Sequence, residues 1–176
     1  MRTEERRTKV LQSLQNSKEP LTGTQLAAEY GVSRQIIVGD ISILRAMGTP
    51  IYATPRGYIL PEKKQSKGTV IATITCRHDG RDMRRELETI VDEGACVRDV
   101  IVEHPVYGEI HGHLMLSSRH DIDVFIEKME QSKAKPLLDV SSGVHLHTLE
   151  VPDTEALNRI VEKLKKLGIL AEGGQV

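Results

Sequence analysis

The stretch Leu21–Arg45, LTGTQLAAEYGVSRQIIVGDISILR, decides how the chain begins to fold. Thr22 to Tyr30 has the make-up of a short helix, and Gly31 stops it. Val32 then sits in a tight turn, and Ser33 is a good N-cap for the helix that follows. Along that helix Ile36, Ile37, Ile41, Ile43 and Leu44 fall on one broad arc. Arg34, Gln35, Val38, Ser42 and Arg45 fall on the opposite one. Two helices joined by a short glycine-containing turn, the second with a polar outer face, form the helix-turn-helix pattern.

Working outward, the chain opens with an Arg/Glu-rich helix whose apolar residues are Val10, Leu11 and Leu14, followed by a polar turn from Asn16 to Pro20. On the far side, Ile51–Leu60 reads as two short strands around Pro55-Arg-Gly57, a small hairpin placed like the wing of a winged helix. The outer face of the third helix suits the major groove. Arg34 can donate a bidentate pair to guanine, Gln35 can pair with adenine, and Ser33, Val38 and Ser42 lie on or beside the same face. Arg56, at the hairpin tip, can reach a phosphate or the minor groove, while Arg2, Arg6, Arg7, Lys9 and Arg45 are candidates for phosphate contacts that ignore sequence. Charge agrees: residues 1–68 hold 11 Lys+Arg against 6 Asp+Glu, and residues 69–176 hold 13 against 19. A basic first third attracts phosphate. A module that binds protein rather than DNA is the alternative use of such a domain.

Pro61-Glu-Lys-Lys-Gln-Ser-Lys-Gly68 contains no large apolar residue and reads as a linker. It divides the chain into a DNA-binding domain (1–61), a linker (62–68) and a second domain (69–176). The second domain alternates strands and helices as β-α-β-β-α-β-α. Strands are predicted over Val70–His78, Cys96–His104, Glu109–Ser117 and Val144–Val151, and helices over Arg81–Glu93, Arg119–Gln131 and from a cap at Asp153. Three helices on one face of a four-stranded, mainly antiparallel sheet make an α+β open-faced sandwich.

A hydrophobic content of 39% and a charged content of 28% suit a soluble globular protein. No apolar run approaches the ~20 residues of a membrane span, so a cytoplasmic protein without a membrane partner is the plain reading. Cys76 and Cys96 form no disulfide framework. An enzyme lacks its parts here: there is no phosphate-cradling loop, no nucleophile motif and no His-Glu-x-x-His helix.

The seven histidines carry the second domain's chemistry. His111/His113 and His145/His147 are i, i+2 pairs, and in a strand both members of such a pair point to one face, as two metal-binding imidazoles must. Where the first and fourth strands are antiparallel neighbours, His78 at the end of one lies beside His145 and His147 at the start of the other. Glu86, at the edge of the next helix's apolar stripe, needs a partner. Three imidazoles and a carboxylate can meet there, with His111/His113 the competing pair and Cys76 an alternative ligand.

Ser33-Arg-Gln-Ile-Ile-Val-Gly-Asp40, continued through Leu44-Arg45 and Ala53-Thr-Pro-Arg-Gly-Tyr58, resembles the helix-turn-helix and wing of the niacin-responsive repressors (NiaR/YrxA). Thr75-Cys-Arg-His78, His104-Pro-Val-Tyr-Gly108 and Gly143-Val-His-Leu-His147 resemble their 3H domain. The resemblance runs from about Thr3 to Gly168. It implies repression of NAD-biosynthesis and niacin-uptake genes with nicotinic acid as co-repressor, an HPr-like second domain, and a homodimer. It also implies one transition-metal ion per chain on His78, Glu86, His145 and His147. Zinc or nickel come first and iron or manganese are compatible, since such a donor set does not choose among them. His104 and Tyr107 are candidate residues of the nicotinate pocket. A repressor for which the ion itself is the signal is the alternative. Gly39 departs from the family, whose members generally carry a bulkier polar residue there.

Overall fold

The computed structural model describes residues 2–61 and 68–175, with side chains as far as Ala171. The core of the expected linker, residues 62–67, lies outside the described residues. The chain forms two compact units, residues 1–64 and 65–176. Among the described residues no helix is long and apolar enough to cross a membrane.

In the first unit, α1 (Thr3–Asn16), α2 (Gly23–Tyr30) and α3 (Arg34–Ala46) precede a hairpin of β1 (Tyr52–Thr54) and β2 (Gly57–Ile59). A capping box starts α2: the Thr22 hydroxyl accepts from the Gln25 amide, and the Gln25 side chain accepts from the Thr22 amide. Gly31, at φ 63°, ends it. The Ser33 side chain caps α3 by accepting from the Ile36 amide. Val10, Leu14, Leu26, Ile37, Ile41, Leu44 and Ile51 fill the core. Leu21 and Tyr58 exchange backbone hydrogen bonds of 2.9 and 2.8 Å, which fasten the wing to the entry of α2.

One part of the expected apolar arc is corrected. Ile36 and Ile43 are 42% and 38% exposed, and Asp40 lies inward at 3%. At 100° per residue Asp40 falls beside Ile37, Ile41 and Leu44, so it is buried whatever its polarity. Arg6 compensates it, with Nε 2.6 Å from Oδ2 and Nη2 3.2 Å from Oδ1, and Arg7 Nε adds a contact of 3.3 Å. The hydrogen bonds to Asp40 outweigh the cost of burial and raise the Arg6 pKa. Arg6 and Arg7 are therefore structural partners of α3 rather than arms held out for phosphate.

The second unit is a five-stranded sheet in the order β5-β4-β6-β3-β7, every pairing antiparallel. Its strands are β3 (Val70–Arg77), β4 (Cys96–His104), β5 (Gly108–Leu116), β6 (Val144–Val151) and β7 (Leu170–Gln175). Helices α4 (Met83–Val91), α5 (Arg119–Ser132) and α6 (Thr154–Lys166) contribute Leu87, Ile90, Val91, Ile122, Leu157, Ile160 and Leu164 to a core shared with Ile74, Val97, Leu116, Leu149 and Val151. Burial alternates along β6, as a sheet covered on one face requires.

Four strands and three helices match the expected open-faced sandwich. The fifth strand, β7, extends it by pairing with the free edge of β3. A 3₁₀ turn at Gly80–Asp82 precedes α4 where one continuous helix from Arg81 is expected, because the Asp79 carboxylate accepts from the Arg81 amide at 2.9 Å and holds the chain in a cap. A second 3₁₀ turn, Leu137–Ser141, leads into β6.

The β3–β6 register sets Cys76 opposite His145 and Ile74 opposite His147. Just before β6, Gly143 has φ 89°, and a Cβ built on it would lie 2.4 Å from the His78 carbonyl oxygen. Only glycine permits that approach.

Asp40→Ala leaves a guanidinium without its carboxylate in the first unit. It should lower that unit's thermal midpoint more than Glu19→Ala, which removes the exposed partner of Arg56. Gly143→Ala should destabilise the second unit by about 2 kcal/mol in denaturant unfolding, through positive φ and the clash with His78. Gly39→Ala, where an added Cβ meets nothing within 4 Å, should stabilise the first unit by roughly 0.5–1 kcal/mol.

Candidate metal centre and DNA-reading surface

Four residues from three elements meet at one end of the sheet. His78 follows β3, Glu86 comes from the first turns of α4, and His145 and His147 come from the start of β6. All are out of solvent: Glu86 and His145 are 1% exposed, His147 is 3%, and the His78 side chain is 3%. The Nε2 atoms of the three rings face the Glu86 carboxylate. His78 stands 2.7 Å from Oε2, His145 3.2 Å from both oxygens, and His147 3.5 Å from Oε2. The rings of His78 and His147 each stand edge-on to His145, with centroids 4.8 and 5.0 Å apart.

The other nitrogen of each ring is committed. Nδ1 of His78 donates to the Asp79 carbonyl at 2.6 Å, that of His145 to the Gly143 carbonyl at 2.9 Å, and that of His147 to the Asp99 carbonyl at 2.6 Å. A carbonyl only accepts, so each Nδ1 holds a proton and each neutral ring turns an Nε2 lone pair inward. Three lone pairs and a carboxylate then confront one another, and only positive charge resolves that, as protons or as a metal ion. In the proton-only state burial opposes a charged His78 and a charged His147, but Glu86 outweighs it and raises both pKa values. Burial likewise opposes the Glu86 carboxylate, yet the three imidazoles hold it well below the usual range. The donor set suits a first-row transition metal, and backbone-anchored Nδ1 atoms are what orients histidine ligands around one.

Sequence reasoning misses how those anchors arise. In β4 the register with both neighbours shifts after Val97. In this irregular stretch the Asp99 carbonyl takes the His147 proton, while Asp99 Oδ1 accepts from the Thr148 amide at 3.0 Å. Nothing in the local sequence marks the shift. Gly143, by contrast, is a visible signal: a glycine directly before a strand, whose carbonyl accepts from both His145 Nδ1 and the His78 amide.

Of the competing pair, His111 turns away from the cluster. His111 is exposed and contacts Glu109 at 3.3 Å, on the far strand β5. Cys76 does approach: its sulfur, a Glu86 oxygen and a His145 nitrogen lie within 4.8 Å of one another. The register of β4 with β6 carries His104 to the end of the sheet where β6 begins, the end that holds the cluster. His104 and Tyr107 belong to the β4–β5 hairpin tip, where His104 Nδ1 accepts from the Val106 and Tyr107 amides and the two rings pack at 4.8 Å. His104 Nδ1 is thereby committed to the turn. A cavity of about 310 Å³ does abut the cluster, lined by Arg77, His78, Asp79, Leu138, Asp139, Ser142 and Gly143.

In the first unit, Ser33, Arg34, Gln35 and Ser42 stand exposed along α3, and Val38 is half-buried. Ser42 Oγ is turned back to the Val38 carbonyl at 2.9 Å. Arg45 braces the wing, with Nε donating to the Ile51 carbonyl at 2.7 Å and the guanidinium 5.9 Å over the Tyr58 ring. Arg56 pairs with Glu19. Lys9 pairs with Glu5, and Arg2 is exposed at the N-cap of α1. Arg34 and Gln35 thus stand exposed on this face, whereas Arg45 holds the wing and Arg56 pairs with Glu19.

Comparison with known proteins agrees with both units. Residues 6–59 match an HTH-domain family, and residues 71–173 match the 3H-domain family. The chain is 47% identical over 171 residues to the probable transcription repressor NiaR of Thermotoga maritima, covering 97% of this chain and 96% of that one. It is 41% identical over 166 residues to the transcription repressor NadR of Bacillus subtilis, covering 94% and 92%. An uncharacterized protein of Methanothermus fervidus shares 27% identity over 103 residues, which is 55% of this chain but 16% of that protein. A capped helix-turn-helix with its wing, joined to a 3H domain, and two relatives matched nearly end to end place the chain in the NiaR/NadR family of transcription repressors, DNA-binding regulators rather than enzymes.

Proposed function

We propose that the chain represses NAD-biosynthesis and niacin-uptake genes. In this reading nicotinic acid is the co-repressor, bound at or beside a transition-metal ion on His78, Glu86, His145 and His147. The observation that carries the reading is the inward convergence of three imidazole lone pairs on a buried carboxylate. A metal ion supplies the missing positive charge and, with coordination left over, a point of attachment. Nicotinate offers a carboxylate and a pyridine nitrogen, both competent ligands.

The cavity beside His78 offers the effector a place next to the ion. Its size lies at the lower end of the ~300–1,000 Å³ of small-molecule sites. Arg77 on its wall suits a carboxylate. The near-complete burial of Glu86, His145 and His147 favours a second reading, in which the ion is itself the signal. A homodimer fits two-fold operators, since one helix-turn-helix reads only a half-site. An effector changes the affinity of such a dimer only by preferring one of its arrangements.

Operator binding titrated with nicotinate at fixed metal, and with metal alone, separates the two readings. Nicotinate should tighten operator binding by tenfold or more, ~1.4 kcal/mol. A response to metal alone, with none to nicotinate, would make the ion the signal. His145→Ala should abolish the nicotinate response while keeping the salt-sensitive basal DNA binding of the first unit. Full response in a metal-free His145→Ala protein would remove the ion from the mechanism. Arg34→Ala should cost ~1–3 kcal/mol of operator affinity and relax preference at one base pair. Arg56→Ala should act more weakly and evenly across sequences, because Arg56 is held by Glu19.

A further inference from the structure

We propose that Cys76 is a further ligand of the same ion, bound as a thiolate beside Glu86 and His145. The inference rests on the reading that the histidine cluster holds a transition metal, and three observations carry it further. The first is distance. The Cys76 sulfur, a Glu86 carboxylate oxygen and a His145 nitrogen all lie within 4.8 Å of one another. Metal–nitrogen and metal–oxygen bonds of about 2.0–2.2 Å and metal–sulfur bonds of about 2.3 Å set two ligands of one ion at most about 4.5 Å apart. The triad is thus close to ligating distance before any ion draws it together.

The second is direction. Cys76 stands opposite His145 in the β3–β6 register and two residues before His78, so all three belong to the same face of the sheet. Cys76 is 0% exposed, like the other members of the cluster out of reach of solvent.

The third is charge. A divalent ion held by neutral imidazoles and Glu86 leaves one net positive charge on its ligand shell, which Asp82 near His78 and Asp99 near His147 offset only from outside that shell. Among the described residues Glu86 is the one carboxylate hydrogen-bonded to these rings. A buried net charge is costly. A thiolate brings the site to neutrality, the thiol proton leaving to solvent as the ion enters. With sulfur in its shell the site prefers zinc, cobalt or nickel to magnesium or manganese. Without the ion, Cys76 is a protonated, small apolar residue packed among Ile74, Leu87 and Ile90, which accounts for its presence in the core in either state.

Cobalt(II), added to metal-free full-length protein, is the probe. Visible d–d bands report occupation of the histidine site, and an intense near-ultraviolet sulfur-to-cobalt charge-transfer band reports a thiolate ligand. Both should appear in the natural protein and in Cys96→Ala. Cys76→Ser and Cys76→Ala should keep the d–d bands, lose the charge-transfer band, release one proton fewer per cobalt bound and bind at least tenfold more weakly. Zinc-edge X-ray absorption of the unmutated protein gives a readout that needs no core substitution, with a sulfur shell near ~2.3 Å. Cobalt bound with d–d bands but no charge-transfer band, or a zinc shell of nitrogen and oxygen alone, overturns the thiolate while leaving the histidine site standing. Failure of the unmutated protein to bind cobalt at all overturns both.

Discussion

Glu86 sits 1% exposed on α4, facing three imidazole nitrogens whose opposite nitrogens already donate to the backbone. A carboxylate in that position is costly without positive charge beside it, and the neutral rings bring none. Everything local serves this meeting. The left-handed Gly143 lets its own carbonyl orient His145 while the His78 backbone passes close by. The shift in β4 frees the Asp99 carbonyl for His147. The antiparallel β3–β6 pair brings two ends of the unit, more than sixty residues apart in sequence, to one point.

The first unit poses the same electrostatic question and answers it differently. Asp40 is as deeply buried as Glu86, but its partner is Arg6, a cation at any physiological pH. That pair is self-sufficient and fixes α1 against α3, the second helix of the helix-turn-helix. The Glu86 cluster is conditional, because imidazoles carry positive charge only when protonated and otherwise need an ion. One unit therefore holds a constant structure, and the other a site whose state depends on what occupies it.

Much of this is legible in the sequence. Ser33 as a cap, Gly31 as a stop and Pro55-Arg-Gly57 as a hairpin tip define the first unit, because each acts through local backbone chemistry. The alternation of His145, His147, Leu149 and Val151 marks both β6 and its buried face. Less legible is whatever depends on tertiary partners. Asp40 looks like a surface charge until its helical phase is compared with that of Ile37 and Ile41, and Arg6 looks like a phosphate arm for the same reason. Strand β7 carries only Leu170 and Ala171 as apolar signal before Glu172-Gly-Gly, too little to announce a strand that exists by pairing with an open edge. His104 caps its own turn through Nδ1, a contact that the local sequence does not announce.

On the reading proposed above, a metal ion completes the Glu86 cluster. Elemental analysis of protein dialysed against a zinc and nickel buffer, then desalted, tests it most directly when the natural chain is compared with Glu86→Gln and with His111→Ala/His113→Ala. One bound transition-metal ion per chain is expected in the natural protein and in the double histidine variant, and less than a tenth of that in Glu86→Gln. A natural chain that leaves dialysis without metal, or a Glu86→Gln chain that retains it in full, would contradict the account.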